Sequence, residues 1–208
     1  MNVAEAPEGA QSTTTPVGNT PEWSFLERIR SYHLNNRGRL ASLKRGAGET
    51  IATARNVSWI YSVLPPHLEE SDQEIYFMVA CLFACDKDAL ERGMHFKKNL
   101  GATMAWLRLQ PRASQASVDR RFRVLLDADF DPVGYGGELG YRLRQIVRYA
   151  LSQGAMLDWP RLLNDLQHWR RSDRRVQKDW AKAYYDPANQ AAKLDPLTET
   201  DPAELAAE

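Results

Sequence analysis

The sequence predicts an all-α protein, two small helical bundles carried between disordered acidic tails. Three observations lead there. Apolar residues recur at helical spacing between residues 21 and 185, helix-start signals precede the apolar runs, and no segment shows the strict alternation of a half-buried strand. With 208 residues, 43% of them apolar and 10% aromatic, the chain can bury a core of its own. It contains no internal repeat.

Thr20 followed by Pro21 supplies a capping oxygen and a residue pre-set for the first helical turn, opening a helix with Trp23, Leu26 and Ile29 on one side. Ser71-Asp72-Gln73-Glu74 reads as a capping box, with Ile75, Met78, Val79 and Leu82 following at helical spacing. Cys81 and Cys85 fall one turn apart in that segment and read as core residues, because a zinc site needs four ligands. Ser117 is expected to cap the next helix, whose buried stripe is Val118, Phe122, Leu125 and Leu126. Arg120 and Arg123 then fall on the opposite side, with Arg121 flanking.

A helix from Leu139 buries Leu143, Ile146, Val147 and Ala150, which turns Tyr141, Arg144 and Arg148 outward and leaves Arg142 at the margin. Asp158-Trp159-Pro160 starts a helix carrying Leu162, Leu163, Leu166 and Trp169. After Ser172-Asp173 a last helix buries Val176, Trp180 and Tyr184 and points Arg174, Lys178 and Lys182 away. The bundles are expected to divide near Pro111, into 21–112 and a basic 113–185. The flanking segments 1–20 and 186–208 are too poor in large apolar residues to offset the entropy of ordering.

A formal net charge of zero conceals an asymmetry. Residues 23–185 hold 26 Lys and Arg against 18 Asp and Glu, whereas the two ends hold 1 against 9. Twenty of those cations are Arg, whose planar fork donates two hydrogen bonds at once to phosphate oxygens. A polyanionic partner is the first expectation. Arg170-Arg171-Ser172-Asp173-Arg174-Arg175 is the densest site, and Lys44-Arg45 beside Gly46 and Gly48 is a second patch where a backbone could approach closely. No zinc-finger spacing, heptad or base-stacking sheet signature is present, so the chemistry suits backbone tracking rather than base reading.

Catalytic and metal constellations are thin. His33, His67, His95 and His168 are scattered, and the glycine-rich turn of Gly134, Gly136 and Gly137 follows no strand. The acids of Asp127-Ala128-Asp129-Phe130-Asp131 and Glu138 match calcium-loop spacing, but Pro132 stands where the sharp turn needs glycine. The expectation is therefore a non-enzyme without metal or cofactor. No stretch reaches the roughly 20 apolar residues of a membrane helix, and the first residues lack a basic leader and an apolar segment, so a cytoplasmic location is expected.

The order of features resembles the CasB family, the small subunit of the type I-E CRISPR antiviral effector Cascade. The resemblance rests on Leu43-Lys44-Arg45, the apolar run Met78 to Phe83, and Arg120-Arg121-Phe122 leading to Leu125-Leu126-Asp127-Ala128-Asp129. It continues in Leu143-Arg144-Gln145-Ile146-Val147, in Asp158-Trp159-Pro160 and in the basic stretch after Trp169. The acidic tails fall outside the pattern. The resemblance implies a non-catalytic helical subunit, present in two copies beside the other Cascade subunits and the guide RNA. There it would hold target and displaced DNA strands apart and stabilise the R-loop. The residues expected to touch nucleic acid are Lys44, Arg45, Arg120, Arg121, Arg142, Arg144, Arg148, Arg174 and Arg175, of which Lys44, Arg45, Arg120, Arg121 and Arg144 carry the family pattern best. Arg121 and Arg142 lie at stripe margins, where either could instead brace a helix junction. The rival expectation is a helical scaffold whose basic faces bind acidic proteins.

Overall fold

The structure, a computed structural model, describes residues 20–94, 98–131 and 137–191. Residues 1–19 and 192–208 of the expected tails, His95, and Gly134 and Gly136 of the glycine-rich turn lie outside the described residues. In chain order the helices are α1 (Pro21–Asn35), α2 (Arg37–Gly46), α3 (Glu70–Phe83), α4 (Lys87–Arg92) and α5 (Leu100–Arg108). There follow α6 (Gln115–Leu126), α7 (Gly137–Ser152), α8 (Trp159–Gln167), α9 (Arg175–Tyr185) and α10 (Pro187–Ala191). A 3-10 turn, Ser58–Ser62, lies between α2 and α3. No strand occurs among the described residues, as the all-α expectation requires.

The start signals hold in two places. Thr20 Oγ1 accepts from the Trp23 amide at 3.2 Å, and Asp158 Oδ1 accepts from the Arg161 amide at 3.0 Å. Two others are corrected. The Ser71–Glu74 capping box does not form: α3 starts at Glu70, and the Glu74 carboxylate reaches across to the Ile51 amide at 3.1 Å. A tertiary donor outcompetes the local one, because Ile51 belongs to a loop whose amide has no partner of its own in a ladder. On α6 the cap is Ser114, not Ser117: its hydroxyl accepts from the Ser117 amide at 3.4 Å, so the helix begins at Gln115. A short helix lies within the start of the segment expected as tail. Asp186 Oδ1 accepts from the Ala188 amide at 2.9 Å and starts α10, which packs on α5 and α9.

α3 is the centre of the core. Every residue from Ile75 to Ala84 is buried, which follows from an uninterrupted apolar run that needs neighbours on all sides. α1 and α3 pack on α8, α6 packs on α7, and α5 packs along α9. At that last contact Gly101 is required by space, since a Cβ there would collide with the Trp180 carbonyl oxygen. Buried polar groups tie distant segments together: Trp159 Nε1 donates to Asp86 Oδ2 at 2.8 Å, and Trp169 Nε1 donates to the Ala128 carbonyl at 2.9 Å. The buried apolar residues form one cluster running from Phe25 to Tyr184, so the segments either side of Pro111 share a core.

Candidate nucleic-acid interface

The outward face of α6 begins the site. Burial of Val118, Phe122 and Leu125 leaves Arg120 and Arg123 exposed, above a shallow cleft that Asp127 and Glu138 also line. α6 ends at Leu126, and the chain passes through Asp127–Phe130 against the turn joining α8 to α9. A second cleft, of about 360 Å³, opens there between Asp127–Phe130 and Trp169–Arg174. A third, of about 450 Å³, lies between α8 and α9 and is lined by Arg161, Arg171 and Arg175 with Asp165, His168 and Asp179. Asp127 belongs to the first two clefts and Arg171 to the last two. The three are therefore neighbours, and the row they make is an arginine-lined furrow.

Its cations are held in place by the protein. Arg174 adopts a left-handed backbone conformation, φ 50°, and its Nη2 donates to the Leu126 carbonyl at 2.7 Å and to Asp127 Oδ1 at 3.1 Å. Arg142 pairs with Glu138 at 3.1 Å, Arg171 with Asp173 at 3.0 Å and Arg175 with Asp179 at 3.7 Å. The Arg171 hydrogen bond, helped by the Arg175 amide, holds the Asp173 carboxyl below its usual range. Exposed pairs such as Arg174–Asp127 and Arg142–Glu138 are worth about 0–1 kcal/mol, so an incoming phosphate can take the guanidinium over at little cost. Arg170 differs. It lies 5.5 Å from the centre of the Phe130 ring and donates to Ser71 Oγ at 2.8 Å, and no carboxylate among the described residues forms an ion pair with it.

The expected residues fall into four groups. Arg120, Arg174 and Arg175 line the furrow, and Arg142 reaches its edge through Glu138. Lys44 on α2 and Arg148 on α7 are exposed. Burial pushes the Cys85 thiol up, and these two cations act against that shift. Arg45 is exposed near the end of α2. Arg121 and Arg144 contact other parts of the fold: exposed Arg121 lies 5.2 Å from the Tyr149 ring of α7, and half-buried Arg144 donates through Nη1 to the Ala47 carbonyl at 2.9 Å. Of the furrow cations outside the expected set, Arg123 and Arg170–Arg171 had a sequence signal in the outward face of α6 and in charge density. Arg161 had none, because its place depends on how α8 meets α9. A separate cluster also had no local signal, with Arg39 held 4.9 Å from the ring centres of both Tyr32 and Trp59.

No helix of the described residues is long and apolar enough to cross a membrane. Fold and site together define a small all-helical protein that presents arginines along a surface furrow. The chain belongs to the CRISPR-associated protein Cse2 family, which matches residues 39–185. A Cse2 protein of Thermus thermophilus is 37% identical over 116 residues, 56% of this chain and 59% of that relative, so the match spans less than two thirds of its length. Among solved structures, CasB of M. ruber is 29% identical with a TM-score of 0.65, covering 86% of this chain and 98% of that one. CasB of Thermus thermophilus is 27% identical with a TM-score of 0.63 over 80% and 99%. A chain of a CRISPR RNA-guided surveillance complex shares the fold at 20% identity and a TM-score of 0.67, over 82% of this chain and 94% of that one. The motif resemblance to CasB is thus a family relationship.

Proposed function

We infer that this chain is a non-catalytic subunit of a Cascade-type CRISPR effector and holds nucleic-acid backbone along the arginine furrow, stabilising the R-loop. The observation that supports the reading is the row of three neighbouring clefts, each lined by arginines, on a member of this family. Sequence discrimination would come from guide pairing. Because exchange of a DNA duplex for an RNA–DNA duplex is nearly balanced in energy, modest protein contacts to the displaced and target strands suffice to tip it. The partners are the other subunits of the complex, the guide RNA and the two DNA strands, with two copies of this chain per complex. Exposed Leu34 and Tyr61 leave apolar surface for subunit contacts. The scaffold reading, with acidic proteins as partners of the basic faces, is the alternative.

The test is the salt dependence of DNA binding by the assembled complex carrying Arg120→Ala and Arg123→Ala. Affinity should fall for all target sequences alike, and the slope of log affinity against log salt should flatten by roughly one for each phosphate that is no longer neutralised. Weaker binding with an unchanged slope would mean that these residues act through folding or assembly. Displacement of the bound partner by free polynucleotide separates the strand-binding reading from the scaffold.

A further inference from the structure

The cleft between Asp127–Phe130 and Trp169–Arg174 has features that contact with phosphates alone leaves unused. Gln177, on the first turn of α9, lines it and is only 7% exposed. Its Nε2 donates to the Trp169 carbonyl at 2.9 Å, whereas its Oε1 is buried with no hydrogen-bond partner among the described residues. A buried acceptor without a donor carries its full desolvation penalty and calls for an explanation. Arg170 is held from two sides, by the Phe130 ring and by Ser71 Oγ, and its charge has no ion-pair partner among the described residues. A guanidinium fixed in this way is a flat cationic platform, and such planes stack nucleobases as aromatic rings do. Arg174 completes the site. A non-glycine residue in the left-handed region stores strain, and this one uses that conformation to bring its guanidinium to the edge of the cleft, over Leu126 and Asp127.

The volume, about 360 Å³, is in the range of sites that enclose a small molecule. Resting on the reading given above, we propose that this cleft receives one unstacked nucleotide of a bound single strand. Its base lies against Arg170 and Phe130, and its phosphate engages Arg171 and Arg174. An N–H on the base edge supplies the donor that Gln177 Oε1 lacks, through a shift of the amide toward the cleft. Every nucleobase carries an N–H on its pairing edge, so the site is tolerant of sequence, in keeping with a protein that leaves base reading to the guide.

The experiment compares two labelled oligomers of equal length and phosphate number, oligo-dT and a fully abasic strand, by fluorescence polarisation with the full chain at low salt. A base-accepting cleft binds oligo-dT about tenfold more tightly than the abasic strand. That ratio should collapse towards one in Arg170→Lys, which keeps the charge and removes the plane. It should also fall in Gln177→Leu, which removes the unpaired acceptor. Equal affinities for the two strands in the unmodified chain would overturn the nucleotide site while leaving backbone binding intact. A ratio that survives both substitutions would put the base contacts elsewhere and overturn it too. Failure of both strands to bind would overturn the site in the free chain, while the strand-binding reading stands or falls separately on the salt titration of the assembled complex.

Discussion

Arg144 of α7 fills the space that a side chain at Gly48 would need. Its Nη1 stands where a Gly48 Cβ would collide with it, and from there it donates to the Ala47 carbonyl at 2.9 Å. Gly48 also has φ +113°, a conformation in which L side chains are strained. The loop after α2 and the outer face of α7 are thus locked through one guanidinium, that of a residue also expected to touch nucleic acid. Gly48→Ala should lose roughly 2 kcal/mol from strain and displacement of the arginine, and Arg144→Ala about 1–2 kcal/mol from removal of the charge-assisted bond. Urea midpoints of the two variants check this. An unchanged midpoint for Arg144→Ala would return that residue to the surface.

Packing of α5 along α9 depends on a second glycine. A Cβ at Gly101 would meet the Trp180 carbonyl oxygen, a backbone atom that cannot turn aside as a side-chain tip can. Gly101→Ala should therefore cost about 3 kcal/mol, at the upper end for overpacked sites, despite alanine's better helix propensity. The thermal midpoint reads the result directly, and a stabilised variant would show that the two helices can separate freely.

Asp127 stands in the furrow as a phosphate would, 3.1 Å from Arg174. With 52% and 77% of the two side chains exposed, their pairing is weak, and the carboxylate competes with a strand for the same guanidinium. If the furrow binds backbone, Asp127→Asn should raise the affinity for single-stranded DNA two- to fivefold at low salt, with the gain shrinking as salt rises. Polarisation titrations at two ionic strengths measure it. Weaker binding by the variant would mean that Asp127 positions Arg174 rather than competing for it.

Asp165 links pH to stability. Burial raises its carboxyl pKa, an effect that the Trp180 Nε1 donor at 2.6 Å and the nearby Arg161 only partly offset. A carboxyl whose folded pKa lies above its unfolded value costs stability when ionised, and that cost disappears as pH falls through the folded pKa toward the ordinary carboxylate range. Asp165→Asn keeps an acceptor for Trp180 and removes the charge. The variant should be more stable than the parent at pH 7, by a margin that narrows as pH approaches 4. Denaturant midpoints across that range provide the check, and a margin independent of pH would locate the effect outside the titration of this group.

Legibility followed the range of the interactions. The stripes of α6, α7, α8 and α9 could be read because apolar residues at helical spacing state which face is buried whatever they pack against. Thr20 and Asp158 could be read because a cap bonds to an amide three residues on. Glu74 could not, since its oxygen has a choice between a local amide and that of Ile51, 23 residues away.

By itself, the sequence determined that this chain is helical, that its folded part is basic, and that arginines cluster at Arg120–Arg123 and Arg170–Arg175. These properties reside in composition and in spacings of a few residues. Only the tertiary structure decided what each cation does. A solvent-facing arginine looks the same in sequence whether it lines a cleft, as Arg120 does, rests against a ring, as Arg121 does, or is spent on a carbonyl 97 residues away, as Arg144 is. The difference is set by which helices meet. A guanidinium on a long flexible stem takes whatever acceptor the packed core brings within its reach.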